Sequence, residues 1–219
     1  MHFKPRIVAL GDSSILIQLG DEIDPAINRR VHALAGLVDT SAIAGVTETV
    51  PAYATLLVHY DPLVFSFTQV KNILREKLTQ IQENESRKPR RVEVPVRYGG
   101  ELGPDLEMVA SQLDLGVEDV IRIHSAKTYS VYMMGFTPGY PYMGKLDAVL
   151  SMPRLETPRT RVPAGTVAIA GSQTGIYSIE SPSGWNLIGW TPLKLFDPKS
   201  DSPFLFAPGD KVKFVVEKS

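Results

Sequence analysis

Apolar side chains alternate between residues 13 and 19, with Ile15, Ile17 and Leu19 on one side of the chain. That is the period of a strand with one buried face. Gly20-Asp21 is turn chemistry, and Asp24 followed by Pro25 reads as an N-cap and a first helical residue. Ile27, Val31, Leu34, Ala35 and Val38 then fall on one helical face. Two further strand-like runs cover residues 45–50 and 53–60, and Asp61-Pro62 turns the chain. Ser66 and Gln69 form a capping box, Phe65 and Val70 a hydrophobic staple, and the helix they open carries Ile73, Leu74, Leu78 and Ile81. Strand, helix, strand, strand, helix is the order of a small α+β sandwich with its helices on one face of a sheet.

Residues 82–91, QENESRKPRR, break this pattern and read as a linker. The basic cluster Arg87, Lys88, Arg90 and Arg91 stands beside Glu83 and Glu85, as a solvated boundary or an interaction tail. The expected domains are therefore residues 1–84 and 90–219. In the second, Val92, Val94, Val96 and Tyr98 alternate as a strand, and Pro95 suggests a sheet edge. Gly103-Pro104-Asp105 opens a helix that Gly116 ends, and a second short helix places Val117, Val120, Ile121 and His124 on one face. Short strand candidates follow at residues 128–134, 166–170, 176–179, 187–190, 193–196, 204–206 and 211–216, separated by Gly/Pro turns. Residues 207–210, APGD, fit a type II turn. Many short strands with close turns imply a barrel or a sandwich.

Composition narrows the function classes. The 219 residues suit one large or two small domains. A formal net charge of −1 argues against a general nucleic-acid surface or an anionic membrane as partner. The absence of cysteine removes disulfides, a thiol nucleophile and thiolate metal sites. Residues 1–10 lack a signal-peptide pattern, and no stretch approaches the roughly 20 apolar residues of a membrane span, so the expected compartment is the cytoplasm.

Several segments carry candidate chemistry. Residues 135–144, GFTPGYPYMG, hold three glycines, two prolines and three aromatics. They make either a pre-formed pocket wall or a tight connection whose aromatics cap the core. Arg159 and Arg161 lie two apart in a proline-framed stretch, on one side if extended; such a pair suits a carboxylate or phosphate, and equally fits two surface arginines. Ser172, Gln173 and Thr174 occupy a polar turn, and Trp185 follows a second turn at residues 181–184. His124 is a general base or a core histidine held by a backbone carbonyl. The four histidines show no zinc-type spacing, and no metal site is expected. The loop at residues 98–105, YGGELGPD, could receive an anion at a helix start, although Asp105 and Glu107 already place negative charge there. There is no P-loop motif.

Taken in order, YGGELGPDL, the His124 helix, GFTPGYPYMG, PRTRVPAG, GSQTGIY, SPSGWNLIGWTPLKLFDP and FAPGDKVKF resemble one family. It is the bacterial family of allophanate hydrolase subunit 1, the KipI-type kinase inhibitors and the 5-oxoprolinase B subunits, built on subdomains C and D of the carboxyltransferase domain. GDSSILIQLG and VPAYATLLVHYDP resemble its first domain. The resemblance implies an α+β fold: a small N-terminal α/β sandwich followed by a cyclophilin-like β-barrel. It implies one component of an enzyme complex that does not act alone. Its partners would be the C-type (KipA-like) and A-type subunits of an ATP-dependent 5-oxoprolinase, which opens 5-oxo-L-proline to L-glutamate, with ATP at a composite site. Alternatives within the family are inhibition of a sensor histidine kinase and allophanate hydrolysis. By position, the resemblance places His124 as the catalytic candidate and Arg159, Arg161, Gln173, Thr174, Phe136, Tyr140 and Trp185 as substrate-binding candidates around the mouth of the barrel.

Overall fold

The computed structural model describes residues 3–81 and 89–217, and the chain separates into two compact units, residues 1–88 and 89–219. Residues 82–88, most of the expected linker with Glu83, Glu85, Arg87 and Lys88, lie outside the described residues.

The first unit runs β1 (Arg6–Ala9), β2 (Ser14–Gln18), α1 (Pro25–Thr40), β3 (Val46–Pro51), β4 (Thr55–Tyr60) and α2 (Phe67–Gln80). Its sheet has the order β1-β2-β4-β3, antiparallel throughout. Local chemistry sets the helix starts. The Asp24 carboxylate accepts from the amides of Ala26 at 2.7 Å and Ile27 at 3.0 Å ahead of Pro25. At α2, Gln69 Oε1 accepts from the Ser66 amide at 2.9 Å while Ser66 Oγ accepts from the Gln69 amide at 3.4 Å. Two orphan donors are thereby satisfied. Ile15 and Ile17 of β2 and Leu56, Val58 and Tyr60 of β4 then pack on Val31, Leu34 and Val38 of α1 and Val70 and Leu74 of α2. β1 is the element that periodicity does not announce; three of its four residues are exposed, so no alternation marks it.

The second unit adds β5 (Arg91–Tyr98), α3 (Leu106–Gln112), α4 (Val117–Ala126), β6 (Thr128–Met134), β7 (Pro141–Gly144), β8 (Arg159–Val162), β9 (Thr166–Ala170), β10 (Gln173–Ile176), β11 (Ser181–Ser183), β12 (Asn186–Trp190) and β13 (Lys211–Val216). Seven strands close into a barrel in the order β10-β7-β6-β13-β5-β12-β9, and β8 and β11 pair as a separate ribbon. Val94, Val96, Tyr129, Val131, Met143, Ile169, Ile176, Ile188, Val212 and Phe214 share one core with Leu106 and Val109 of α3 and Val120 of α4. Every barrel strand contributes to that cluster, so it is the barrel interior. The APGD turn forms as expected: the Asp210 amide donates to the Ala207 carbonyl at 3.1 Å, with Gly209 at φ +87°.

Three expectations change. β5 is not an edge, because it lies between β12 and β13. Pro95 is tolerated because the neighbouring Val96 carbonyl faces β13, accepting from Glu217. Pro95 therefore faces β12, whose pairing stops at Arg97. The strand expected at residues 176–179 is β10, three residues earlier. The candidates at 193–196 and 204–206 reduce to one bridge between Phe196 and Phe204.

The strand β9 positions the candidate site. Its sequence, TVAIA, is buried on both faces, as expected for a strand covered on two sides. Val167 and Ile169 face the barrel interior. Ala168 and Ala170 face outward into a second cluster with Tyr140, Tyr177, Trp185, Leu187 and Val162 of the β8–β11 ribbon. Among the described residues, no helix is long and apolar enough to cross a membrane.

Candidate functional site

On its outer face the β10–β9 part of the wall carries little side-chain bulk. Gly175 of β10 pairs with Tyr142 on one side and Ala168 on the other. A Cβ at Gly175 would collide with the Tyr140 ring and hydroxyl. The Gly and Ala floor therefore lets Tyr140 lie on the sheet. Tyr140 meets Tyr142, Tyr177 and Trp185 edge to face at centroid distances of 5.0, 5.2 and 6.2 Å, arrangements that the ring quadrupoles favour. Tyr177 is hydrogen-bonded to Ser183, whose Oγ also accepts from the Trp185 amide at 2.9 Å.

The GFTPGYPYMG loop closes one side. Gly139 needs its positive φ of +80° and has Phe196 and the Leu195 carbonyl against it. Thr137 Oγ1 and Ser178 Oγ tie the loop to the strand end at 3.1 Å. Phe136 sits at φ +63° with 60% of its surface exposed, edge-on to Tyr140 at 5.6 Å. A bulky residue held in the left-handed region costs about 1 kcal/mol or more, a strain that collects at functional sites. The result is a groove of 210 Å³ lined by Phe136, Tyr140, Tyr142, Arg154, Pro158, Tyr177, Pro182, Ser183, Gly184 and Trp185. Burial raises the pKa values of Tyr142 and Tyr177, with Arg154 acting in the opposite direction. Both phenols are therefore protonated at neutral pH, and the one charged side chain in the lining is Arg154. Among the described residues, no carboxylate or imidazole lines the groove.

His124 lies on the other side of the same wall. Thr174 pairs with Met143 and Ile169, which face the barrel interior, whereas its neighbour Gly175 faces the groove. His124 is fully buried, stacked on Phe214 at 4.6 Å. Its Nε2 is 2.9 Å from Thr174 Oγ1, and its Nδ1 is 2.7 Å from Tyr98 Oη. Thr174 donates its own proton to the Ala168 carbonyl at 3.1 Å. The threonine oxygen must therefore accept from Nε2–H, and Nδ1 accepts from the Tyr98 hydroxyl. Every polar group of this core network is satisfied with the imidazole neutral, and burial pushes the His124 pKa down to about 3.

The remaining candidates separate as well. Arg159 Nη2 donates to Asp105 Oδ1 at 2.6 Å, and Asp105 Oδ2 accepts from the Leu187 amide at 2.7 Å. That carboxylate, buried at 6% exposure, occupies the helix start that the sequence offers to an external anion. Arg161 pairs with Glu180 at 2.7 Å on the surface. Gln173 begins β10 at the sheet end, half-buried. Of the expected residues, the structure brings Phe136, Tyr140 and Trp185 into one groove and joins His124 to Thr174 in the core. Sequence reasoning included Tyr142 only as one aromatic of the 135–144 loop and missed Tyr177 and Arg154. The tyrosines were legible as aromatics inside Gly/Pro-rich segments. For Arg154 the available signal was Pro153 beside it, in the same proline-rich region as the arginine pair.

The barrel wall thus carries an aromatic groove whose charged side chain, among the described residues, is Arg154. The sequence model of the carboxyltransferase domain, subdomain C and D, matches residues 5–206, and the chain belongs to that family. It is 44% identical to the 5-oxoprolinase B subunit of Bacillus subtilis over 98% of this chain and 94% of that protein. It superposes on the crystal structure of TTHA0988 with a TM-score of 0.83 at 39% identity, over 94% of this chain. The chain spans 40% of the length of that protein. The Kluyveromyces lactis urea carboxylase shares the fold, with a TM-score of 0.79 at 20% identity over 98% of this chain and 22% of that one.

Proposed function

We propose that this chain is the B-type component of a 5-oxoprolinase, working with C-type and A-type partners to open 5-oxo-L-proline to L-glutamate with hydrolysis of ATP. The observation that carries this reading is the composition of the groove: aromatic walls and, among the described residues, one cation and no base. Lactam opening adds water across the ring C–N bond, and it needs both activation of the amide oxygen and a group to take a proton from water. The groove has walls suited to a small flat ring and an arginine suited to a carboxylate. Its phenols are held protonated, and His124 is separated from it by the sheet. This chain binds and orients substrate and excludes water, while partners provide the proton acceptor and the nucleotide site. The groove's 210 Å³ is below the roughly 300–1,000 Å³ of pockets for drug-sized ligands and suits a single small ring.

The test is reconstitution. Purified with its C-type and A-type partners, the chain supports 5-oxoproline-dependent ATP hydrolysis and glutamate release, and leaving it out abolishes both. Equal turnover in its absence refutes the assignment. No turnover, with suppression of a histidine kinase's autophosphorylation by this chain alone, replaces it with the kinase-inhibitor reading.

A further inference from the structure

The segment around Arg154 has no regular structure, yet its backbone is held at three successive points. The Met152 carbonyl accepts from the Gly171 amide at 2.6 Å, and the Pro153 carbonyl from Asn186 Nδ2 at 2.9 Å. The Leu155 amide donates to the Gly184 carbonyl at 2.8 Å. Asn186 is itself buried at 1% exposure. The Arg154 backbone is thereby fixed beside the Gly184–Trp185 turn, and its exposed side chain lines the groove. Arg154 has no carboxylate partner among the described residues, whereas Arg159 and Arg161 are engaged by Asp105 and Glu180. An exposed cation on a held backbone, beside a small aromatic groove and without a carboxylate partner among the described residues, suits a ring bearing one negative charge.

We infer that Arg154 is the specificity-determining residue of the groove and grips the carboxylate of a small cyclic monoanion whose ring stacks among Phe136, Tyr142 and Trp185. The inference rests on the 5-oxoprolinase reading for its substrate, and it replaces the Arg159–Arg161 pair as the anion holder. A neutral lactam of the same ring size loses the guanidinium contact and binds weakly.

The experiment compares wild type, Arg154→Gln and Arg154→Lys in the reconstituted complex. Loss of a charge-assisted contact corresponds to roughly 10- to 100-fold in binding. Arg154→Gln should raise the KM for 5-oxo-L-proline by that factor with kcat little changed, and Arg154→Lys should recover part of it. An unchanged KM overturns the inference, and so does loss of co-elution with the partner proteins, which would make Arg154 a protein contact. If the wild-type complex shows no lactam-dependent turnover, the 5-oxoprolinase reading fails by itself. The full-length chain is then titrated with 5-oxo-L-proline and with 2-pyrrolidinone, following the Trp185 indole resonance by NMR. A response to the carboxylate-bearing ring alone, abolished in Arg154→Gln, upholds the inference; no response in wild type, or an equal response to the neutral ring, overturns it.

Discussion

Acidification acts on His124 through the difference between its two environments. In the unfolded chain the imidazole titrates near its ordinary 6.5, whereas burial in the barrel core holds it neutral down to about 3. Between those values the unfolded state binds the extra proton, so stability falls as pH falls and is fully retained above about 6.5. The slope approaches 1.36 kcal/mol per pH unit, and from 6.5 down to pH 5 this amounts to about 2 kcal/mol. Other groups also titrate, and His124→Gln isolates the histidine: a glutamine amide is neutral throughout and offers both a donor and an acceptor to Thr174 and Tyr98. Urea unfolding is followed by tryptophan fluorescence at pH 7.5 and 5.0. Trp185 and Trp190, the two tryptophans of the chain, both lie in the barrel unit, so the signal reports that unit. Wild type should lose about 2 kcal/mol more than the variant between the two conditions. Parallel losses would refute the neutral, core-held histidine and return His124 to the list of titrating site residues.

Two further substitutions probe the groove and its support. Gly175→Ala puts a methyl group into the Tyr140 ring; we expect about 1–3 kcal/mol of destabilisation by overpacking and a shifted near-ultraviolet CD spectrum as Tyr140 is displaced, and an unchanged spectrum would count against the Gly/Ala floor. Asp105→Asn leaves the Arg159 guanidinium without its charged partner and weakens the acceptor for the Leu187 amide; a loss of about 2–4 kcal/mol is expected in the same urea assay, and a neutral effect would show that the pair does not brace α3 against β12.

Local chemistry was legible in the sequence wherever a few consecutive residues settle the outcome. The Asp24-Pro25 start, the Ser66–Gln69 box and the APGD turn each close within four residues, and all three stand in the structure. The alternation in β2 and β4 announced their buried faces because the sheet has one core side. Shorter strands were hidden. β7, β8 and β11 have three or four residues, and β7 and β11 contain proline; their pairing supplies hydrogen bonds from distant segments, which no local period records. The aromatic content of the groove was visible, but its grouping was not. Adjacent residues on β10, Thr174 and Gly175, point to opposite faces of one wall, so the sheet separates His124 from the aromatics.

What the sequence determined by itself is the class: a small α+β sandwich, a second domain of short strands that the family resemblance makes a barrel, and a Gly/Pro-rich aromatic loop. Only the tertiary structure decided which arginine is available. Asp105, 54 residues away in the chain, takes Arg159, and Glu180 takes Arg161, leaving Arg154 facing the groove. The physical reason is that a guanidinium's role depends on which carboxylate the fold brings within reach, and that is fixed by pairings far apart in sequence.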